Sequence, residues 1–189
     1  AEFFQEVLNK TDKSKLPLEG KSLEDFTAFI TPIIFDPKLD AKMVDLSPNI
    51  DNVKASAVNF YRGVTEEEVV DYYADLEKRS GNKRLSFGLN TQVVKEDGEI
   101  KERVWKVGGM YDPAIRKIVY WLKKATEVAE NETQKGHLEE LIQYYETGDL
   151  EHFDKHAVLW VKDTESRVDV VNGFIEDYQD PLAKKRSFE

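Results

Sequence analysis

The chain has 189 residues, a length suited to one domain or two tightly joined subdomains, and 37 acidic against 27 basic residues give it a formal net charge of −10. This acidic excess argues against nucleic acid or an anionic membrane surface as a partner, because both are bound through basic patches. The absence of cysteine excludes disulfide scaffolds, thiolate zinc sites and cysteine nucleophiles.

The first sixty residues contain two weak helix signals, followed by a stretch with several prolines. Residues 2–9 place their apolar side chains at helical spacing. Ser22 and Asp25 match a capping box, which predicts a short helical turn through Phe29. Prolines recur between residues 30 and 60, and this region is interpreted as irregular with short strands.

The middle of the chain predicts one capped helix and one hairpin. Thr65 and Glu68 form a second capping box, and the helix that they start is expected to end at Gly81. Residues 87–107 are then interpreted as a hairpin, with strands over Leu89–Val94 and Ile100–Trp105 on either side of residues 95–99, where Asp97-Gly98 can supply the positive φ of a tight turn.

Three helices and a last strand follow. Asp112-Pro113 is typical of a helix start, the next helix is expected at about residues 133–145, and Asp149 can cap a third helix that runs to Trp160. Val168 to Tyr178 is rich in β-branched and aromatic residues and is interpreted as a strand. The sum is an α+β chain with a possible subdivision into a β-rich part (1–110), a helical part (111–165) and a returning strand (166–182).

The histidines give no convincing metal site. His152 and His156 have the i, i+4 spacing of zinc-binding helices, but Phe153 occupies the place where such helices carry their glutamate base. The pair is therefore interpreted as solvent-facing, and His137 as a surface residue.

The last stretch resembles a known family. Trp160-Val161-Lys162-Asp163 and, further on, Gly-Phe-Ile-Glu-Asp-Tyr-Gln-Asp-Pro at 173–181 meet every fixed position of a segment of dipeptidyl peptidase III, in its bacterial form. Weaker likeness extends over nearly the whole chain, at residues 16–22, 59–65, 88–98 and 105–111.

The resemblance implies a zinc-dependent peptidase with two lobes around a cleft. The family binds zinc through His-Glu-x-x-Gly-His and Glu-Glu-x-Arg-x-Glu, and neither motif occurs in this chain. Residues 1–189 then correspond to a single compact fragment preceding those motifs. They would form the lobe without zinc, with an antiparallel or mixed, barrel-like β-core surrounded by helices.

The resemblance also implies two substrate-binding residues. In the family, an acidic residue on the strand before Gly-Phe-x-Glu helps to hold the α-ammonium group of the peptide, and eukaryotic members place a tyrosine two residues later. These positions are Asp169 and Val171 here, and strand alternation would put both on one face. Val171 has no hydroxyl, so the hydrogen bond of that tyrosine has no counterpart.

The function expected on this basis is that of a substrate-binding lobe. The intact parent would be a zinc metallopeptidase that releases dipeptides from peptide N-termini, whereas the fragment alone would be inactive and free of zinc. Its partners would be the peptide substrate and the zinc-bearing lobe. The alternatives are a stand-alone peptide- or protein-binding domain, and a hydrolase of another class with a site of scattered residues. The resemblance implies a cytoplasmic protein, while the start at Ala1 leaves open that a signal peptide has been removed.

Overall fold

The chain divides into two units in a computed structural model, which describes residues 2–81 and 85–189. One unit runs to Met43 and the other from Val44 to Glu189. The sequence suggested a subdivision after residue 110, whereas the structure separates the units after Met43.

The first unit is helical. It contains α1 (Glu2–Lys10), a 3-10 turn (Lys13–Lys15) and α2 (Leu23–Phe35). The predicted capping box of Ser22 forms, but α2 continues beyond the expected end at Phe29 and passes through Pro32. Proline lacks an amide hydrogen and so costs this helix one internal hydrogen bond without ending it.

The second unit opens with a small sheet. A helical turn, α3 (Asn52–Ala55), precedes β1 (Tyr61–Arg62), and β2 (Thr91–Glu96) and β3 (Glu99–Val104) follow further along. The strand order is β1-β2-β3, with β1 parallel to β2 and β2 antiparallel to β3. The described residues between 30 and 60 form no strand, so the expectation of short strands there was wrong.

The predicted hairpin is confirmed, with a shorter turn than the sequence suggested. Thr91 pairs with Val104 and Glu96 with Glu99, so only Asp97 and Gly98 lie outside the ladder. Both have positive φ, at 53° and 84°. Two positive values in succession match the type I′ turn, whose twist suits a hairpin.

The predicted helix after Thr65 is α4 (Glu66–Ser80). The Thr65 hydroxyl accepts a hydrogen bond from the Glu68 amide, and the Glu68 carboxylate accepts one from the Thr65 amide. Gly81 ends the helix in the left-handed region at φ 66°. The inner face of α4 packs against the sheet in a cluster of five buried side chains: Val53, Val64, Val69, Tyr73 and Val93.

Replacing Thr65 by alanine should lower the free energy of unfolding of the second unit by about 1 kcal/mol, because the Glu68 amide loses its acceptor. Thr126→Ala is the matched control, since that hydroxyl donates to a carbonyl at a helix end and caps no amide. Urea unfolding of both variants measures the difference. Equal losses at the two sites would contradict a capping role for Thr65.

Three further helices follow in the second unit: α5 (Asp112–Thr126), α6 (Glu132–Thr147) and α7 (Leu150–Lys162). Helix α6 packs against both neighbours. The main core lies where these helices meet the hairpin and the last strands, around Trp105, Leu141 and Phe174. Among the described residues, no helix is long and apolar enough to cross a membrane.

The start of α5 differs from the sequence prediction. Asp112 was expected to cap the helix, but Tyr111 occupies the cap position at φ 63° and Asp112 is the first helical residue. Its carboxylate instead accepts hydrogen bonds from the Gly108 amide and the Arg116 guanidinium, and these hydrogen bonds lower the pKa of Asp112. The Asp112 carboxylate thus connects the loop at Gly108 to the first turn of α5.

The strand predicted over Val168–Tyr178 is mostly absent. Only Phe174–Glu176 (β4) is extended and paired, antiparallel to Ser187–Phe188 (β5). The three-stranded sheet and this two-stranded ribbon are separate, and neither closes on itself within the described ranges. The barrel-like β-core was therefore a wrong expectation, and the chain is helix-rich with small sheets.

Candidate functional site

Residues 167–168 are held in place by side chains rather than by a neighbouring strand. The carboxylate of Glu130 accepts hydrogen bonds from the Arg167 amide and guanidinium and from the Val168 amide, each at 3.0 Å. Gln134 donates to the Val168 carbonyl at 2.8 Å. The Arg167 guanidinium and these amides lower the pKa of Glu130. Because Glu130 and Gln134 take up these backbone groups, residues 167–168 need no partner strand.

Asp169, the predicted ammonium-binding residue, lies exposed beside α7. Its Oδ1 accepts a hydrogen bond from the Trp160 indole at 2.7 Å and one from the Val170 amide at 2.7 Å. No described residue bonds to Oδ2, so one carboxylate oxygen is anchored while the other is open to a ligand. Arg167, two residues before this acid, pairs with Glu130 and not with Asp169.

Val171, the second predicted site residue, is 58% exposed. The alternation that was to place it on the same face as Asp169 requires a strand, and none forms here. Val170, Val171 and Asn172 all line one cavity, and the side-chain Oδ1 of Asn172 accepts a hydrogen bond from the Tyr145 hydroxyl at 2.7 Å. Val171 therefore offers an apolar surface next to the acid.

The cavity lies between α7 and the segment 170–175 and has a volume of about 180 Å³. One wall uses residues of α7 at helical spacing, and the other uses the irregular segment. The lining residues are Phe153, His156, Ala157, Trp160, Val170, Val171, Asn172 and Ile175. Trp160 both lines this cavity and anchors Asp169, to which its indole donates a hydrogen bond.

The histidines are not where the sequence placed them. His137 and His156 are buried, at 1% and 7% exposure, because α6 and α7 face each other there. The Nδ1 of His156 lies 2.8 Å from the His137 carbonyl oxygen, and burial lowers the pKa of both rings. Only His152 remains near the surface, where it pairs with Glu140. The interpretation as a solvent-facing pair was wrong for His156, as was the surface position for His137.

The described residues do not fit a zinc ion. No group of three or more His, Asp or Glu side chains among residues 2–81 and 85–189 is arranged to hold a metal. Of the i, i+4 pair on α7, His156 contacts the backbone carbonyl of His137, whereas His152 contacts the Glu140 carboxylate.

Sequence reasoning missed a buried polar cluster behind the hairpin. Lys185 is completely buried, and its Nζ donates to the hydroxyls of Tyr73 and Thr91. Glu102 accepts hydrogen bonds from both hydroxyls, at 2.7 and 2.6 Å, and lies 3.8 Å from the lysine nitrogen. Lys185 stands more than ninety positions after its hydroxyl partners, so no local pattern reveals the cluster.

His156 and Trp160 were also missed as site residues. A local signal for them exists, since Phe153, His156 or Ala157, and Trp160 have the i, i+3 or i+4, i+7 spacing of one helix face. The spacing identifies a face but not which segment covers it, and here residues 170–175 do so only in part.

Comparisons with known proteins agree with the fold. The profile of Peptidase family M49 matches residues 47–189. Dipeptidyl peptidase 3 of Rattus norvegicus is 32% identical over 160 residues, covering 79% of this chain and 20% of the relative. Among solved structures, DPP III from Caldithrix abyssi aligns with a TM-score of 0.54 at 23% identity, over 99% of this chain and 33% of the other.

A second solved structure gives the same TM-score. Dipeptidyl-peptidase III from Corallococcus sp. strain EGB aligns at 0.54 with 21% identity, over 75% of this chain and 25% of the other. The chain spans about a fifth of the length of the curated relatives that it matches. Since the family profile covers most of its residues, the chain belongs to peptidase family M49, the family of dipeptidyl peptidase III.

Proposed function

We propose that this chain supplies the surface that holds the N-terminal amine of a peptide in a zinc-dependent dipeptidyl peptidase. The observation that carries the proposal is the Asp169 carboxylate, with one oxygen anchored by Trp160 and Val170 and the other exposed. A free peptide amine is a cationic donor, and charge-assisted hydrogen bonds to a carboxylate are stronger than neutral ones.

The anchoring matters because it fixes the direction in which the acid presents its free oxygen. A flexible surface carboxylate loses conformational entropy when it captures a cation, whereas the side chain of Asp169 already has a set orientation. The nearest basic residue in sequence, Arg167, pairs with Glu130, and no cation within residues 2–81 and 85–189 forms an ion pair with Asp169. The site therefore combines a preset geometry with an unneutralised charge.

Val171 would contact the peptide through apolar surface, since its side chain is exposed beside the acid. The chain's residues do no chemistry in this proposal: they bind the amine and orient the peptide. Zinc, bound by another part of the parent, would polarise the scissile carbonyl and activate water. This chain alone is accordingly expected to bind peptide without hydrolysing it.

Asp169→Asn tests the proposal in the parent enzyme. Asparagine keeps an oxygen that can accept from Trp160 and Val170 but loses the charge. We expect kcat/KM for free-amine peptides to fall, and the loss should correspond to roughly 1.5–3 kcal/mol of transition-state stabilisation, the range for hydrogen bonds to charged groups. The Tm should stay within about a degree or two.

Glu165→Gln is the matched control, because it removes an exposed charge near the same segment without touching Asp169. Binding of free-amine and N-acetylated peptides to the 189-residue chain gives a second measurement, in which only the free-amine peptide should lose affinity on Asp169→Asn. Unchanged kinetics together with a lowered Tm would assign Asp169 a structural role and end the proposal.

A further inference from the structure

We propose that the cavity between α7 and the segment 170–175 is a binding site for a phenolic ring, whose hydroxyl donates a hydrogen bond to His156 Nε2. As the natural occupant we infer a tyrosine side chain of the peptide bound at Asp169, and this part rests on the proposed function. The affinity for a phenol depends on the cavity alone.

The tautomer of His156 is set by its hydrogen bond to a backbone carbonyl. A carbonyl oxygen can only accept, so the 2.8 Å contact with His137 places the proton on Nδ1. Burial lowers the pKa of His156, so the ring is neutral near pH 7 and its Nε2 carries a lone pair. That edge of the ring is an acceptor and not a donor.

This acceptor has no hydrogen-bond partner among the described residues. The His156 side chain is more than nine-tenths buried, yet no described residue bonds to Nε2. Among the described residues, His137 Nδ1 is a polar atom that is closed off from solvent and has no hydrogen-bond partner. His156 Nε2 does not belong to this group of closed-off atoms. His156 lines the cavity and its Nδ1 side is turned to His137, so the Nε2 edge is the one left for a ligand.

The size and polarity of the cavity suit an uncharged aromatic ring. An apolar cavity of about 150 Å³ binds benzene, and the volume here is about 180 Å³. Six lining residues are apolar, and no lining residue carries a charge at neutral pH. An aromatic ring would fill such a space, and a charged ligand would lose its hydration there without an opposite charge.

The other wall of the cavity carries a hydrogen-bond donor, the side-chain amide of Asn172. The Asn172 oxygen is used by Tyr145, which leaves the Asn172 amide nitrogen without a partner among the described residues. A phenol oxygen both donates and accepts, so it can use the His156 acceptor and the Asn172 donor. A plain phenyl ring would leave both unsatisfied, which disfavours it.

The test uses the 189-residue chain with phenol and fluorobenzene, which have equal numbers of heavy atoms but differ in the hydroxyl. In wild type, phenol should shift the ¹⁵N resonance of His156 Nε2 in the direction of an accepted hydrogen bond, and fluorobenzene should not. His156→Phe should weaken phenol binding by about three- to tenfold, the equivalent of one net hydrogen bond, and leave fluorobenzene binding within about twofold.

His152→Phe is the matched control, since it makes the same change on the same helix outside the cavity. If His156→Phe does not fold, the ¹⁵N measurement on wild type still decides. An unshifted Nε2 at saturating phenol, or no saturable binding of phenol, would overturn the inference. Asp169→Asn should leave phenol affinity unchanged because phenol carries no amine. Phenol binding therefore tests the cavity, whereas free-amine peptides test amine recognition, and either proposal can fail without the other.

Discussion

Replacing Gly88 by alanine is expected to destabilise the second unit by about 3 kcal/mol. Gly88 has φ +93°, where an L side chain costs about 1–2 kcal/mol. A Cβ there would lie 2.7 Å from the Tyr73 hydroxyl oxygen and 2.8 Å from its Cζ, which adds an overpacking cost of about 1–3 kcal/mol. Tyr73 cannot move away easily, because its buried hydroxyl is bound to Glu102 and Lys185.

Gly98→Ala is the control, since Gly98 has nearly the same φ, +84°, but open space where its Cβ would be. Its loss should be about 1 kcal/mol, from backbone strain alone. Urea unfolding followed by tryptophan fluorescence reports the second unit, because Trp105, Trp121 and Trp160 all lie in it. Equal losses for the two variants would show that Tyr73 does not confine Gly88.

The second large effect concerns Lys185 and pH. Burial lowers the pKa of Lys185 from its ordinary 10.5 to about 8, partly opposed by the charges of Glu102 and Asp180. Between pH 8 and 10.5 the unfolded chain binds more protons than the folded one, so the free energy of unfolding should rise with pH. The rise from this one group is on the order of 3 kcal/mol.

Lys185→Met should abolish that part of the rise. The measured quantity is the difference in unfolding free energy between wild type and variant at pH 7.5, 9 and 10.5, because other lysines and tyrosines titrate in both proteins. Lys184→Met is the control: this neighbour reaches the surface and pairs with Glu77. Parallel curves for wild type and Lys185→Met would mean that the amine keeps its ordinary pKa in the folded state.

Predictability from sequence depended on how far away the partners of a residue lie. The Thr65 and Glu68 capping box and the Asp97-Gly98 turn are closed by groups within three positions, and the sequence predicted both correctly. Val168 begins the stretch of β-forming composition, yet its backbone amide and carbonyl bond to Glu130 and Gln134, more than thirty positions earlier. Composition alone therefore predicted a strand that tertiary contacts replace.

The candidate site shows the same limit. Resemblance to the family located Asp169, but not that the Trp160 indole anchors it. The burial of His137 and His156 depends on which faces of α6 and α7 meet, and a pair of short amphipathic helices leaves that choice open. Lys185 is flanked by Lys184 and Arg186, and nothing in this basic run indicates that the middle residue is buried, because a buried lysine has no sequence signature of its own.

The turn after β4 has a consequence for folding during synthesis. Asp180 binds the Tyr61 hydroxyl, Lys185 binds Tyr73, and the Arg186 amide donates to the Leu89 carbonyl. The two side-chain contacts join residues more than one hundred positions apart, and long loops of this kind close late. While a ribosome is still holding residue 185, α4 and the hairpin have emerged but Glu102 lacks its buried cation. A nascent chain at that stage should therefore be an open intermediate, prone to capture by chaperones until the last turn docks.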